Sequence, residues 1–151
     1  MQIIDFSFQE LAAGTPPLPL ALTPNAETLL TSIFLRIASI SNSIELSSSV
    51  AWRAQQPSTD TPKLIFRLRR SSLNGPVVFQ TTDSVFLGIT EPDETSGVPY
   101  DCTTDFISTE SPDAPMVGTF QQYFLTVELA GSSTATITGP INLTGRVIGT
   151  D

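Results

Sequence analysis

Apolar and polar side chains alternate through residues 28–40 and again through residues 44–55. Because successive side chains of a β-strand point to opposite faces, a period of two predicts strands with one buried face and one wet face. The Ser-Asn-Ser segment at residues 41–43 predicts a turn that joins the two strands as a hairpin. The positions expected in the core are Ile33, Leu35, Ile37, Ile44, Leu46 and Trp52.

The same alternation returns along the rest of the chain. Helical spacing occurs only over residues 27–34, where β-branched neighbours favour a strand instead. A count of about nine or ten short strands predicts an all-β chain, a jelly-roll β-sandwich of about 8–10 antiparallel strands. The further predicted strands cover residues 2–8, 63–70, 77–80, 84–90, 118–129, 134–138 and 141–148, with a short one around 100–107. Residues 77–80 and 84–90 are two strands or one strand with a bulge.

Residues 1–24 are rich in proline and are predicted to form an extended N-terminal arm, ahead of a jelly-roll domain over residues 25–151. Ile4, Phe6 and Phe8 alternate with polar residues and are the predicted contacts of this arm. An apolar segment on a proline-rich linker can pair with its own domain, which is the simpler expectation, or with a neighbour. In the second case the arm would link subunits into a fibre.

The composition suits strands and argues against two classes of partner. Charged residues make up 15% of the chain, whereas about a quarter is typical. The net charge of −8 opposes binding to nucleic acid, which requires a surplus of Lys and Arg, and to anionic membrane surfaces. Neither nucleic acid nor a membrane is therefore an expected partner.

The residues that usually carry catalysis are scarce. Histidine is absent, so the most common general base and metal ligand are missing. Cys102 is the single cysteine; it has no histidine to activate it, but it could form a disulfide with another chain. Trp52 is in phase with the apolar positions of its strand and is expected in the core. The sequence therefore predicts no catalytic residue, no cofactor and no metal site, and the chain is not expected to be an enzyme.

Residues 91–115 contain seven acidic residues and no basic one, and most of this segment is expected to be a loop. A solvated surface is the simplest interpretation. Calcium binding, carbohydrate binding and ion pairs with a neighbouring subunit stay open as other roles. Residues 93–97 lack the ligand spacing of an EF-hand loop. The basic residues that would meet these acids are Lys63, Arg67, Arg69 and Arg70.

Two of the predicted strands carry apolar side chains on both faces. Such a strand is central in a sheet or lies at an interface, because a face in water is normally polar. Leu30 and Phe34 lie on the second face of the first strand, and Phe120 and Phe124 lie on that of residues 118–129. These four residues are the predicted oligomer interface.

The strand pattern resembles that of small TNF-like or complement-type jelly-roll proteins of endospore-forming bacteria, including exosporium proteins. The resemblance covers most of residues 25–149, although the collagen-like Gly-X-Y segment of some members is absent. It implies a homotrimer with a structural role on the spore surface and no catalytic residues. The segments that carry it are Ile33 to Ile37, Ile44 to Ala54, Leu64 to Arg70 with the Asn74-Gly75 turn, Gly118 to Glu128, and Gly139 to Val147.

Residues 1–5 lack the features of a secretory signal, and no stretch reaches the roughly 18 apolar residues of a membrane span. The chain is therefore expected to be made in the cytoplasm and to reach the spore surface by assembly. The expected function is that of a self-assembling structural protein of the exosporium, the coat or a spore appendage, in contact with other spore-surface proteins. The alternative is a carbohydrate- or receptor-binding β-sandwich module, such as a phage or spore adhesin, that binds through residues 91–115.

Overall fold

A computed structural model of the chain describes residues 1–54, 61–85 and 99–149, and these ranges contain nine β-strands and one short 3-10 helix. In the same ranges, no helix is long and apolar enough to cross a membrane. The strands are β1 (Gln2–Leu11), β2 (Leu20–Ala21), β3 (Glu27–Arg36), β4 (Ser43–Ala54), β5 (Lys63–Arg70), β6 (Val77–Ser84), β7 (Tyr100–Glu110), β8 (Phe120–Ala130) and β9 (Ala135–Gly149), and the 3-10 helix is Ala114–Met116.

The strands form two antiparallel sheets that pack face to face. Sheet A has the order β1-β9-β4-β7, with β2 paired to β9, and sheet B has the order β3-β8-β5-β6. The chain passes from one sheet to the other at most of its connections, so neighbours in a sheet are usually distant in sequence. This arrangement is a jelly-roll β-sandwich, and the predicted fold class is confirmed.

The inward faces of the two sheets build one apolar core. On β8, for example, Leu125, Val127 and Leu129 are fully buried, and the intervening side chains point away from the core or lie at its edge. The period of two seen in the sequence therefore locates the buried face correctly. All six positions expected in the core are buried, namely Ile33, Leu35, Ile37, Ile44, Leu46 and Trp52.

The predicted hairpin between the first two strands is wrong. β3 pairs with β8 in sheet B, whereas β4 pairs with β7 and β9 in sheet A. The connection over residues 37–42 is long enough to cross the roughly 10 Å between packed sheets. Asn42 fixes it, because its Oδ1 accepts hydrogen bonds from the amides of Ala38 (3.2 Å) and Ser39 (2.8 Å). Alternation alone cannot distinguish two strands side by side from two strands that face each other across a core.

The two closing strands predicted around Gly139-Pro140 are one strand, β9, with an irregularity against β4. Gly139 has φ +72°, a conformation that residues with a side chain rarely adopt. A Cβ atom at this position would collide with Cδ1 of Leu18, which is buried. The glycine thus lets the segment before β2 pack onto sheet A without ending β9.

The short strand predicted around residues 100–107 is present and longer than expected, because residues 100–110 form β7 along β4 and leave less of the acidic segment as a loop. Here Asp101 and Asp105 are exposed on the outer face, while Thr104 and Phe106 are buried on the inner face. Residues 91–98 lie outside the described residues. The strand predicted over residues 77–80 is longer, since β6 extends to Ser84, and residues 86–90 of the next predicted strand are also outside the described part.

The N-terminal segment is extended, and its first part pairs with the same chain. β1 runs antiparallel to β9 from Gln2 to Leu11, and β2 pairs with another part of β9. This matches the simpler of the two expectations for the segment. The division of the chain into an arm and a domain at residue 24 stays a prediction.

Two polar links connect strands of the two sheets inside the sandwich. Trp52 Nε1 donates to Thr104 Oγ1 (2.9 Å), which donates to Asp83 Oδ2 (2.6 Å), so that β4, β7 and β6 are joined. At the other end of β7, Tyr123 Oη donates to Glu110 Oε2 (2.7 Å), and Arg70 pairs with the same carboxylate. These bonds satisfy polar groups that burial would otherwise destabilise.

Candidate self-association surfaces

Three phenylalanines lie close together on the outer face of sheet B, and we call them patch B: Phe34, Phe120 and Phe124. Register pairs Phe34 with Gln122, which places Phe120 and Phe124 diagonally on either side of it on β8. Diagonal neighbours on paired strands are about 7–8 Å apart, within reach of aromatic rings. Phe34 is 55% exposed and Phe120 is 68% exposed, while Phe124 is half-buried. Three of the four residues predicted for an oligomer interface are therefore brought together.

Leu30, the fourth predicted interface residue, does not share this face. The ladder between β3 and β8 shifts between Leu29 and Thr31, so Leu30 is half-buried and packs against the core. Leu29 takes the outward position opposite Thr126 and is exposed. A bulge adds one residue to a strand, so every residue before it points to the opposite face from the one that simple alternation predicts. The sequence pattern does not reveal this bulge.

A second aromatic group lies on the opposite side of the molecule, on the outer face of sheet A. The rings of Phe6 and Phe8 are 6.0 Å apart at 37°, and both side chains are more than half exposed. Ile3 points to the same face through its pairing with Ile148. We call Ile3, Phe6 and Phe8 patch A. Ile4, which was predicted to act with Phe6 and Phe8, sits in a register shift with its Cδ1 close to Gly149, so patch A excludes it.

The polarity of β1 is the reverse of that of a normal edge strand. Its apolar residues Phe6 and Phe8 face outward, while Asp5 and Ser7 face the interior of the sandwich. Asp5 Oδ2 accepts a hydrogen bond of 2.6 Å from the amide of Arg36 and so closes the gap to β3. β1 is therefore attached by backbone bonds, by this contact and by Leu11, which packs against the core, while the outward rings of Phe6 and Phe8 remain uncovered.

The three arginines of β5 find partners within the chain. Arg69 makes a forked pair with Glu27 (2.7 and 2.8 Å), and Arg67 pairs with Glu128 (2.6 Å). The hydrogen bond from Arg69, supported by Thr126 and by the charge of Arg67, holds the pKa of Glu27 below its ordinary value although burial opposes the shift. Ion pairs between these arginines and a neighbouring subunit were one open interpretation, and the structure uses both arginines internally.

The acidic segment contributes to internal pairs as well. Arg70 binds Glu110 and lies 3.6 Å from Asp113, and Arg53 pairs with Asp101 (2.7 Å). In the ranges that the structure describes, no three acidic or Cys side chains come close enough to hold a metal ion. The calcium and carbohydrate interpretations also involve residues 91–98, which lie outside those ranges.

Cys102 lies on the inner side of β7, half-buried against the core and paired in register with Trp52. Burial, followed by the charges of Asp83 and Asp101, raises the pKa of its thiol. A raised pKa disfavours the thiolate, which is the reactive form. Burial, followed by the bond to Glu110, likewise raises the pKa of Tyr123 far above its ordinary value.

Comparisons with known proteins give a likeness of fold only. No family model matches the chain, and no curated protein matches it. Among solved structures, it is similar to the structure of Eiger TNF from S. frugiperda, with 13% sequence identity and a TM-score of 0.49 over 97% of this chain and 94% of that one. A likeness this weak says nothing about what the chain binds. The chain is thus a jelly-roll β-sandwich by its own topology, and its role has to be inferred from its surfaces.

Proposed function

We propose that this chain is a structural subunit that self-associates into a homo-oligomer, with no catalytic role, in the surface layer of a bacterial spore. The observation that supports self-association most directly is patch B. Large exposed apolar groups that cluster on one face of a soluble domain mark contact sites. Burying a fully exposed phenylalanine contributes about 1.5–3 kcal/mol. Because Phe34 is 55% and Phe120 is 68% exposed, the two rings together would contribute roughly 2–4 kcal/mol to an interface.

Patch A gives each subunit a second contact on the opposite side. A subunit with one self-complementary surface forms only a dimer, whereas two separate surfaces permit larger closed or open assemblies. The exposed aromatic rings of β1 and of sheet B face away from each other across the sandwich. This arrangement favours a building block of an extended layer or appendage over an isolated module.

The more specific parts of the proposal derive from the resemblance in strand order. These parts are a homotrimer, a place in the exosporium, coat or appendage, and contact with other spore-surface proteins. We propose that the chain reaches that surface by assembly after synthesis in the cytoplasm. Immunogold labelling of intact spores with an antibody to the chain should decorate their outer layer, and label confined to the mother-cell cytoplasm would refute this location.

Patch B can be tested by replacing its two most exposed rings. The double variant Phe34→Ser, Phe120→Ser is expected to lower the mass measured by light scattering at tens of micromolar. The matched control is Ile40→Ser, because Ile40 is as exposed as these rings but lies in the connection between β3 and β4. An unchanged mass in the double variant would refute patch B as an interface.

The N-terminal arm can be tested separately by deleting residues 1–12. If β1 of one subunit donates its strand to the next, the deletion should convert filaments seen by electron microscopy into discrete oligomers. Circular dichroism of the truncated chain serves as the control that checks whether the sandwich is still folded. Filaments that persist after the deletion would rule out the arm as the link.

A further inference from the structure

Three rows of side chains cross the outer face of sheet A in the strand order β1, β9, β4, β7. Register defines them, because each member pairs with the next on the neighbouring strand. The rows are Phe6-Arg146-Glu45-Thr109, Phe8-Thr144-Ser47-Ile107 and Glu10-Asn142-Ser49-Asp105.

The middle row has large apolar side chains at its ends and small polar ones in its centre. Phe8 is 61% exposed and Ile107 is 69% exposed. Between them lies a shallow concavity of about 230 Å³, lined by Ser47, Thr144 and their neighbours. The middle row is thus raised and apolar at both ends, and low and uncharged in its centre.

We propose that two copies of the chain pair through this face, about a two-fold axis that runs parallel to the strands between β9 and β4. The proposal rests on the self-association proposed above and identifies the occupant of sheet A as a second copy. Rotation about this axis places β1 opposite β7 of the other copy, and β9 opposite its β4. Phe8 then meets Ile107 of the second copy on both sides of the axis, as a self-complementary contact requires.

The charged row is complementary under the same rotation. Arg146 and Glu45 already pair within one chain, and both are partly exposed. In the paired copies, Arg146 of each chain faces Glu45 of the other chain. The four charges therefore alternate in sign around the axis. In the third row, Glu10 faces Asp105 of the second chain, which is unfavourable and weakens the contact.

The size of the face predicts a modest affinity. Four strands about 4.8 Å apart and about nine residues long, at about 3.3 Å per residue, give a face on the order of 600 Å². Stable complexes commonly bury about 800 Å² per partner. With small polar residues in the centre, ordered water is expected to fill part of the contact. The contact is therefore smaller than that of most stable complexes, so a reversible pairing is expected that would join oligomers built through patch B.

The pairing can be tested with two charge reversals, Arg146→Glu and Glu45→Arg. Each variant alone places like charges opposite each other in a two-fold pair and is expected to weaken association at least about tenfold. An equimolar mixture restores opposite charges in every facing position, so the association of wild type should return. The readout is sedimentation velocity at several concentrations, with the mixture compared to each variant alone.

Two further variants serve as control and second test. The control is Arg53→Glu, which breaks the ion pair between Arg53 and Asp101. This pair lies on the same face but outside the three rows, so the variant should associate as wild type does. Asp105→Asn removes the unfavourable facing pair and should tighten association. Tightening in Asp105→Asn would support the pairing even if a charge reversal impaired folding.

The outcomes separate this proposal from the one it rests on. A wild-type chain that stays monomeric contradicts self-association as a whole. A wild-type chain that associates, with both reversals and Asp105→Asn behaving as wild type, overturns only the pairing through sheet A. If each charge reversal weakens association but the equimolar mixture does not restore it, the two-fold geometry is overturned.

Discussion

Single atoms decide how closely the two sheets approach. Gly145 lies in the middle of β9, where a side chain would point into the core. A Cβ atom there would be 2.6 Å from Cδ1 of both Ile33 and Leu35 on the facing strand β3. Real Cβ atoms are essentially never that close to a neighbour, so the absence of a side chain lets the two residues fill the space. The sequence shows the glycine, but only the packing shows why it is needed.

The variant Gly145→Ala is expected to destabilise the fold by about 1–3 kcal/mol, because the added methyl group overpacks a filled core. Chemical denaturation monitored by Trp52 fluorescence measures the change. Gly149→Ala is the matched control, since its Cβ would come no closer than 3.0 Å to any neighbour, and the Ile4 side chain that it meets is 41% exposed and has room to shift. Equal stability of the two variants would contradict the packing described for Gly145.

At the scale of the strand, the sequence predicts more about the inside of the sandwich than about its outside. Period-two patterning located most strands and their buried faces, because burial imposes the same rule on every strand. It failed at Leu30 and Ile4, where a bulge shifts the parity without changing the composition. It also could not pair β3 correctly, since the partner of a strand depends on contacts distant in sequence. Patch B was therefore largely predictable, whereas Leu29, Ile3 and Ile107 were missed.

The outer face of sheet B is tied across three strands by Glu27 of β3 and the arginines of β5. Because the pKa of Glu27 is lower in the folded chain than its ordinary value of 4.5, folding favours its charged form. That stabilisation is complete above the unfolded pKa and is lost as the pH falls through the folded pKa. The wild-type chain should thus lose thermal stability as the pH falls below the ordinary value of 4.5, in part through this group.

The variant Glu27→Gln should flatten that pH dependence, because an amide cannot titrate. Melting temperatures followed by circular dichroism in dilute protein test this. Glu10→Gln removes an equal charge from an exposed position of β1 and serves as the control. A slope in Glu27→Gln as steep as in Glu10→Gln would show that the pair with Arg69 does not contribute.

At the scale of the whole molecule, the chain has a closed core and two uncovered aromatic groups. Links such as Trp52-Thr104-Asp83 and Tyr123-Glu110-Arg70 pair most buried polar side chains of the described residues, and the buried hydroxyl of Ser133 is the exception. The ion pairs of β5 are also internal. In the described part of the chain, patches A and B are exposed aromatic groups on opposite sides of the sandwich. A net charge of −8 opposes random aggregation, so association is expected only where these patches match.

The mass of the wild-type chain in solution is the most direct test of this account. Light scattering coupled to size exclusion, over concentrations from about one to several hundred micromolar, spans the affinities expected for such interfaces. The predicted result is a particle of two or more times the 16.2 kDa of one chain, with mass that rises with concentration. A constant mass of 16.2 kDa over the whole range would contradict self-association and, with it, the proposed structural role.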